Sequence, residues 1–284
     1  MSDVALVVCC SVKGSPGVTT ATLALAAAAQ RRAGVLVADC DPAGGDVAAR
    51  VGCVAEPGLV SLAAAARAHV DAPPENGHAV DGLLVGAHAR PYASGVQVLP
   101  GPVGGVQAAA AVGVLAGVRP HPLVAAARQP GRLLLADVGR LAPASAGWSL
   151  ATTADVLLVV VRPRFDAVAH LDQPWLPALN GPAGNRRVWL LMIGRGSYNA
   201  EEITATTQLP VLGALPLDRA GAAVVPAAVL GNWSARRSRL VRSARGLLPE
   251  LLAAAGVDLA TGPPARSRRA RRSRMLALAD RETP

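Results

Sequence analysis

The stretch Lys13-Gly14-Ser15-Pro16-Gly17-Val18-Thr19-Thr20 constrains what this chain can fold into more than any other. Residues 4–10 before it form an apolar run, Val-Ala-Leu-Val-Val-Cys-Cys, long enough for a buried strand. Residues 22–29 after it are rich in Ala and Leu, which are strong helix formers. A strand, a turn with two glycines and a helix point backbone N–H groups and a helix N-terminus at one spot. Such a spot attracts phosphate, because the first N–H groups of a helix have no internal partner and the helix dipole favours an anion. Gly14 and Gly17 allow backbone conformations closed to other residues and a close approach of an anion to the main chain. Thr19 then sits where its hydroxyl would reach Mg²⁺ beside the phosphates. Of the 28 cationic side chains only Lys13 is a lysine, so the single compact ammonium of an arginine-rich chain lies at the mouth of this loop.

Composition narrows the class. With 284 residues, 51% of them hydrophobic, the chain can bury one full core over residues 1–258, leaving 259–284 as a tail. Aromatics are 2%, so Ala, Val and Leu must build that core, and base stacking on aromatic rings is excluded as a mode of single-strand binding. Cys9, Cys10, Cys40 and Cys53 show no C-x-x-C spacing and no disulfide framework, and no basic-then-apolar leader precedes the first strand. A reduced, cytoplasmic chain is the expectation. No apolar run has the length and bulk of a membrane span. The five histidines are scattered without zinc spacing. The net charge of +9 is uneven: residues 259–284 carry seven arginines against Asp280 and Glu282, a net +5.

The remaining chain alternates strand-like and helix-like runs. Strands are expected at 35–39, 96–100, 132–139, 155–161, 188–193 and 211–215, and helices over 58–66, within 105–128 and over 235–254, the last capped by Ser234 and kinked or divided at Pro249. Residues 70–92 show no period and read mostly as loop. The Val-rich runs lack alternation, as parallel strands covered on both faces do. The expected fold is therefore α/β with a mostly parallel sheet and helices on both faces, three layers in all. Two strand runs close on carboxylates, Asp39-Cys40-Asp41 and Asp137-Val138-Gly139. Ligands of open α/β sheets bind beyond the carboxyl ends of strands, which brings these acids next to the glycine-containing loop. Cys40 reads as a small buried side chain, and Trp148, Trp175, Trp189 and Trp233 as core or interface packing.

Together these residues resemble the ParA/MinD family of deviant Walker-A P-loop ATPases. The family loop K-G-G-x-G-K-[ST]-T agrees with residues 13–20 at six of eight positions. Asp39-x-Asp41-Pro42-x-Gly44 resembles its D-x-D-P-Q-G switch element, Asp137-Val138-Gly139 its Walker B segment, and residues 209–218, Leu-Pro-Val-Leu-Gly-Ala-Leu-Pro-Leu-Asp, its late L-P-V-L-G-x-I-P-x-D. The resemblance implies a P-loop NTPase fold, ATP and Mg²⁺ as cofactors, and a nucleotide-dependent homodimer that places cargo: chromosome or plasmid, division septum, or pilus machinery. It gives Lys13 a role across the dimer, Asp41 a role in water activation, Thr19 the Mg²⁺ ligand and Asp137 the Walker B acid; residues Lys13 to Thr20 are expected around the phosphates, and the adjacent carboxylates extend the expected Mg²⁺ site to Thr19, Asp39 and Asp137.

Three departures shape the expectation. Val18 stands where the family has its second lysine, Ser15 replaces a glycine, and Gly194-Arg195-Gly196 replaces the Asn-containing segment that holds adenine in relatives. Two readings stay open: a working ATPase, or a pseudo-ATPase scaffold that has lost the charge needed at the transferred phosphate. A third places the function in the tail, where Arg266-Ser267-Arg268-Arg269-Ala270-Arg271-Arg272-Ser273-Arg274 offers a counterion-releasing contact for DNA or an anionic membrane, peripheral to nucleoid or bilayer. The protein partner is open.

Overall fold

A computed structural model describes residues 4–30, 34–70, 82–180 and 187–257. The arginine-rich tail lies outside the described residues. Eight strands, β1 (Ala5–Ser11), β2 (Val35–Asp39), β3 (Arg90–Pro91), β4 (Val96–Leu99), β5 (Leu133–Arg140), β6 (Val156–Val161), β7 (Val188–Ile193) and β8 (Val211–Leu215), form one sheet. Its order is β3-β4-β2-β5-β1-β6-β7-β8, parallel throughout except where β3 runs antiparallel to β4 at the edge. Every residue of β1, β2 and β6 is buried, which explains why their sequences run apolar without alternation.

Alternate residues of each strand serve different helical layers. Leu6, Val8 and Cys10 face α3 (Leu59–Val70), α4 (Gly82–His88), α5 (Gly105–Gly117) and α6 (Pro122–Ala127), and farther along the sheet α7 (Trp148–Thr153), α8 (Phe165–Val168), α9 (Trp175–Ala178) and α10 (Ala200–Thr207). Ala5, Val7 and Cys9 face α1 (Val18–Ala29), the short α2 (Val47–Val51), α11 (Arg219–Leu230) and α12 (Arg239–Ala254). Helix α1 is buried along nearly its whole length, with α11 and α12 against it. An almost pure Ala–Leu helix suits that place, because small side chains let helices and sheet approach closely. The expected three-layer α/β architecture is the one observed.

Three local expectations are corrected. Within 70–92, read as mostly loop, the described part holds α4 and β3. Their signal was too short to read: α4 is seven residues long and β3 makes only a two-residue pairing with β4. The C-terminal helix starts later than expected and is capped by Ser238, whose Oγ accepts the Val241 N–H at 3.4 Å. Ser234 instead precedes a 3₁₀ turn, Ala235–Arg237, and its hydroxyl donates to Asn232 Oδ1. The helix runs undivided through Pro249, held by buried Ala244, Leu251 and Leu252 on the core side. Trp148 and Trp175 do pack, edge to face with centroids 5.5 Å apart, whereas Trp233 is exposed beneath the Arg237 guanidinium.

Candidate functional site

Strand β1 lies in the middle of the sheet, between β5 and β6, and its carboxyl end delivers the glycine-containing loop to the centre of the molecule's ligand-facing edge. Gly14 (φ +66°) and Gly17 (φ +111°) both occupy left-handed backbone, and at Gly17 no other residue would fit without strain. Ser11 Oγ donates to the Gly14 carbonyl across the turn at 3.4 Å. Gly17 is the N-cap of α1; no side chain caps this helix and no acid stands in its first turn. The leading amides of α1 are thus left for a ligand. They open on a cavity of about 450 Å³ lined by the loop residues Gly14, Ser15, Gly17, Val18, Thr19 and Thr20 and, opposite, by Asp41, Ala43, Asp46, Arg50, Gly139 and Arg140.

The three acids singled out in the sequence take different places. Asp39 and Asp137 are direct neighbours in the β2–β5 register, both almost fully buried. Asp137 Oδ1 accepts the Gly139 N–H at 3.0 Å, while its Oδ2 is buried and without a hydrogen-bond partner. Burial pushes its carboxyl up to about 6, against the pull of the Thr19 hydroxyl beside it and of the Arg50 charge. Asp39 Oδ2 accepts the Val47 N–H of α2 at 2.9 Å, and glycines at 45 and 101 pack against it where any Cβ would collide. Burial and the neighbouring Asp137 raise its carboxyl to about 7. Its oxygen is engaged by a helix, and it does not line the cavity. Asp41 does: half-buried, it accepts the Ala43 N–H at 2.8 Å and lies against Gly139, whose missing side chain makes room for its carboxylate.

The cations divide between two cavities. Lys13 lines a neighbouring cavity of about 270 Å³ with Ser15, Arg162 and Arg164, not the cleft that holds Thr19 and Asp41. The cleft receives two arginines that the sequence did not single out. Arg50 Nη1 donates to Thr20 Oγ1 at 3.3 Å and pairs with Asp46 four residues earlier. Arg140 Nε donates to the Val12 carbonyl. The only signal for Arg50 was its i,i+4 spacing to Asp46 directly after the D-x-D-P segment. On the far side of the loop a third cavity of about 150 Å³ runs between Pro16, Gly17 and Ala21 and the ends of β7 and β8, with Ile193, Leu215 and Leu217 as apolar walls.

Solved structures share this architecture at low sequence identity. A ParA family ATPase from Chlorobium tepidum TLS superposes with a TM-score of 0.66 at 16% identity, over 88% of this chain and 100% of the other. The septum site-determining protein MinD of Pyrococcus horikoshii OT3, complexed with Mg-ADP, gives 0.58 at 18% identity over 89% and 98%. An ATP complex of a Cyanothece McdA variant gives 0.61 at 16% over 91% and 98%. This is the ParA/MinD fold. No protein-family model and no curated protein matches the sequence itself. The four ParA/MinD-like segments thus converge from separate strands: the loop after β1, the carboxylates after β2 and within β5, and the stretch 209–218, whose Asp218 caps α11 by accepting the Gly221 N–H.

The ParA/MinD fold implies Mg²⁺ with nucleotide, and the residues present fit it. Among the described residues no three His, Cys, Asp or Glu side chains form a ready metal cage. Mg²⁺ in phosphate sites needs none, since it takes one or two protein oxygens and completes its shell with phosphate and water. The unpartnered Asp137 Oδ2 and the adjacent Thr19 hydroxyl are such hard oxygen donors.

Proposed function

We propose that this chain is a ParA/MinD-type ATP-binding protein that dimerises over Mg-ATP and positions a cellular cargo from the cytoplasm. The observation that carries this reading is the uncapped N-terminus of α1, opening through Gly14 and Gly17 onto a cleft lined by Thr19 and Asp41, with the buried Asp137 carboxyl behind Thr19. In this arrangement the amides of α1 would hold the phosphates and Thr19 with Asp137 would hold Mg²⁺, which when bound would neutralise charge on the transferred phosphoryl group. Asp41, at the cleft wall with its carboxyl raised by burial, orients a water. The third cavity, apolar and next to the loop, takes the base. Lys13, in the flanking cavity, remains for a partner subunit's phosphates. The arginine tail at 266–274 is a nonspecific contact for DNA or anionic lipid. The comparison structures support the nucleotide and the magnesium by likeness of fold, since one holds Mg-ADP and another ATP.

Val18 favours a second reading, a scaffold that binds nucleotide without turning it over. Calorimetric titration of the full chain with Mg-ATP, paired with phosphate release and light scattering, separates the two. Micromolar to millimolar binding is expected. Turnover with a shift to dimer supports the ATPase, binding without turnover supports the scaffold, and no binding at millimolar nucleotide overturns both.

A further inference from the structure

We propose that Arg50, carried on α2, supplies the phosphate-facing charge that position 18 lacks, so that the cleft recognises the terminal phosphate of a nucleoside triphosphate with a cation from a different element. This rests on the nucleotide-binding reading above and concerns how that site is charged. Val18 opens α1, is almost wholly buried and packs into the core, so no cation reaches the phosphates from there. Lys13 lines the other cavity. Arg50 lies in the cleft wall, held at two points: Nη1 on Thr20 Oγ1 at 3.3 Å and Nη2 near Asp46 Oδ2 at 3.5 Å. A guanidinium has five N–H donors, so donors remain for an incoming anion.

Its place in the cleft selects among phosphates. Arg50 touches Thr20 and faces the Thr19 end of the loop, where the threonine hydroxyl, Mg²⁺ and the last phosphates of a P-loop ligand meet. A plain surface ion pair would need only Asp46, and such a pair contributes little. The additional bond to Thr20 instead ties the guanidinium to the phosphate loop within the cleft wall. The long contact to exposed Asp46 is easily exchanged for a phosphate oxygen, with which a guanidinium forms stronger, paired hydrogen bonds.

The test measures Mg-ATP and Mg-ADP dissociation constants calorimetrically for the full chain and for Arg50→Ala, Arg50→Gln, Arg50→Lys and Asp46→Asn, with a thermal melt of each. Arg50→Ala and Arg50→Gln are expected to weaken Mg-ATP about ten- to a hundredfold, and Mg-ADP far less. Arg50→Lys should recover part of the loss, and Asp46→Asn should tighten Mg-ATP a few-fold. Arg50→Gln removes the charge but keeps a polar, helix-forming side chain, so it answers the question even if Arg50→Ala melts early. Unchanged Mg-ATP affinity in Arg50→Gln, or equal losses for ATP and ADP, overturns the role of Arg50 and leaves the nucleotide site standing. A wild-type chain that binds neither nucleotide overturns both.

Discussion

Asp39 and Asp41 look alike in the sequence, two acids at the end of one strand, and the structure separates them by a single residue's change of direction. Asp39 turns inward to the Val47 amide, and Asp41 turns outward over Gly139 into the cleft. That distinction was not legible, because strand periodicity ends at the strand and the following turn decides where each acid points. The sign of the consequence follows from burial. The Asp39 carboxyl rises from 3.8 to about 7 on folding, so the native state holds the proton more tightly than the unfolded chain. Its contribution to stability is complete below about pH 4, is lost as pH rises toward about 7, and does not return above it. Asp39→Asn can still accept from Val47 and carries no charge. Its advantage over the wild type should therefore grow by about 2 to 3 kcal/mol between pH 5 and pH 8. Denaturant titrations at the two pH values check this, and an advantage that shrinks between them would show that the ionised form is favoured.

Elements were most legible where tertiary structure agrees with local sequence. The runs that became β1, β2, β5 and β6 could be placed because both faces of each strand are buried, which leaves an apolar stretch with sharp ends. Helix α10 carries a reciprocal Asn199–Glu202 capping box, a local signal that was present but not used. Helix α2 is five residues long, too short for periodicity, so the element that carries Arg50 went unseen. The late segment ending in Asp218 was legible as a motif, and its physics is a helix start. Asp218 Oδ1 takes the Gly221 N–H at 2.8 Å, and Asp218 also lines the cavity beside the loop. Asp218→Ala should therefore cost about 1 kcal/mol in stability and weaken nucleotide binding with it. Chemical denaturation and nucleotide titration of the same preparation read both, and a stability loss with no change in affinity would assign the residue to the helix alone.

At the scale of the whole molecule, the sheet order explains how segments far apart in sequence meet. The central position of β1, flanked by β5 and β6, is what brings a loop at residues 13–20 to an acid at 137. Fold class could be read from the alternation of runs, whereas the pairing of cleft residues could not, because spacing along the chain carries no record of strand order. The sheet interior also holds three of the four thiols. Cys9, Cys10 and Cys40 are fully covered, and burial pushes Cys9 up to about 12 and the other two well above their ordinary value, while Cys53 is only partly covered. A maleimide reagent at neutral pH should therefore modify one site on the native protein and four once the chain opens. The mass of the adduct becomes a tag-free clock for opening of the sheet, and a nucleotide that closes the cleft should slow the last three additions while leaving the first untouched.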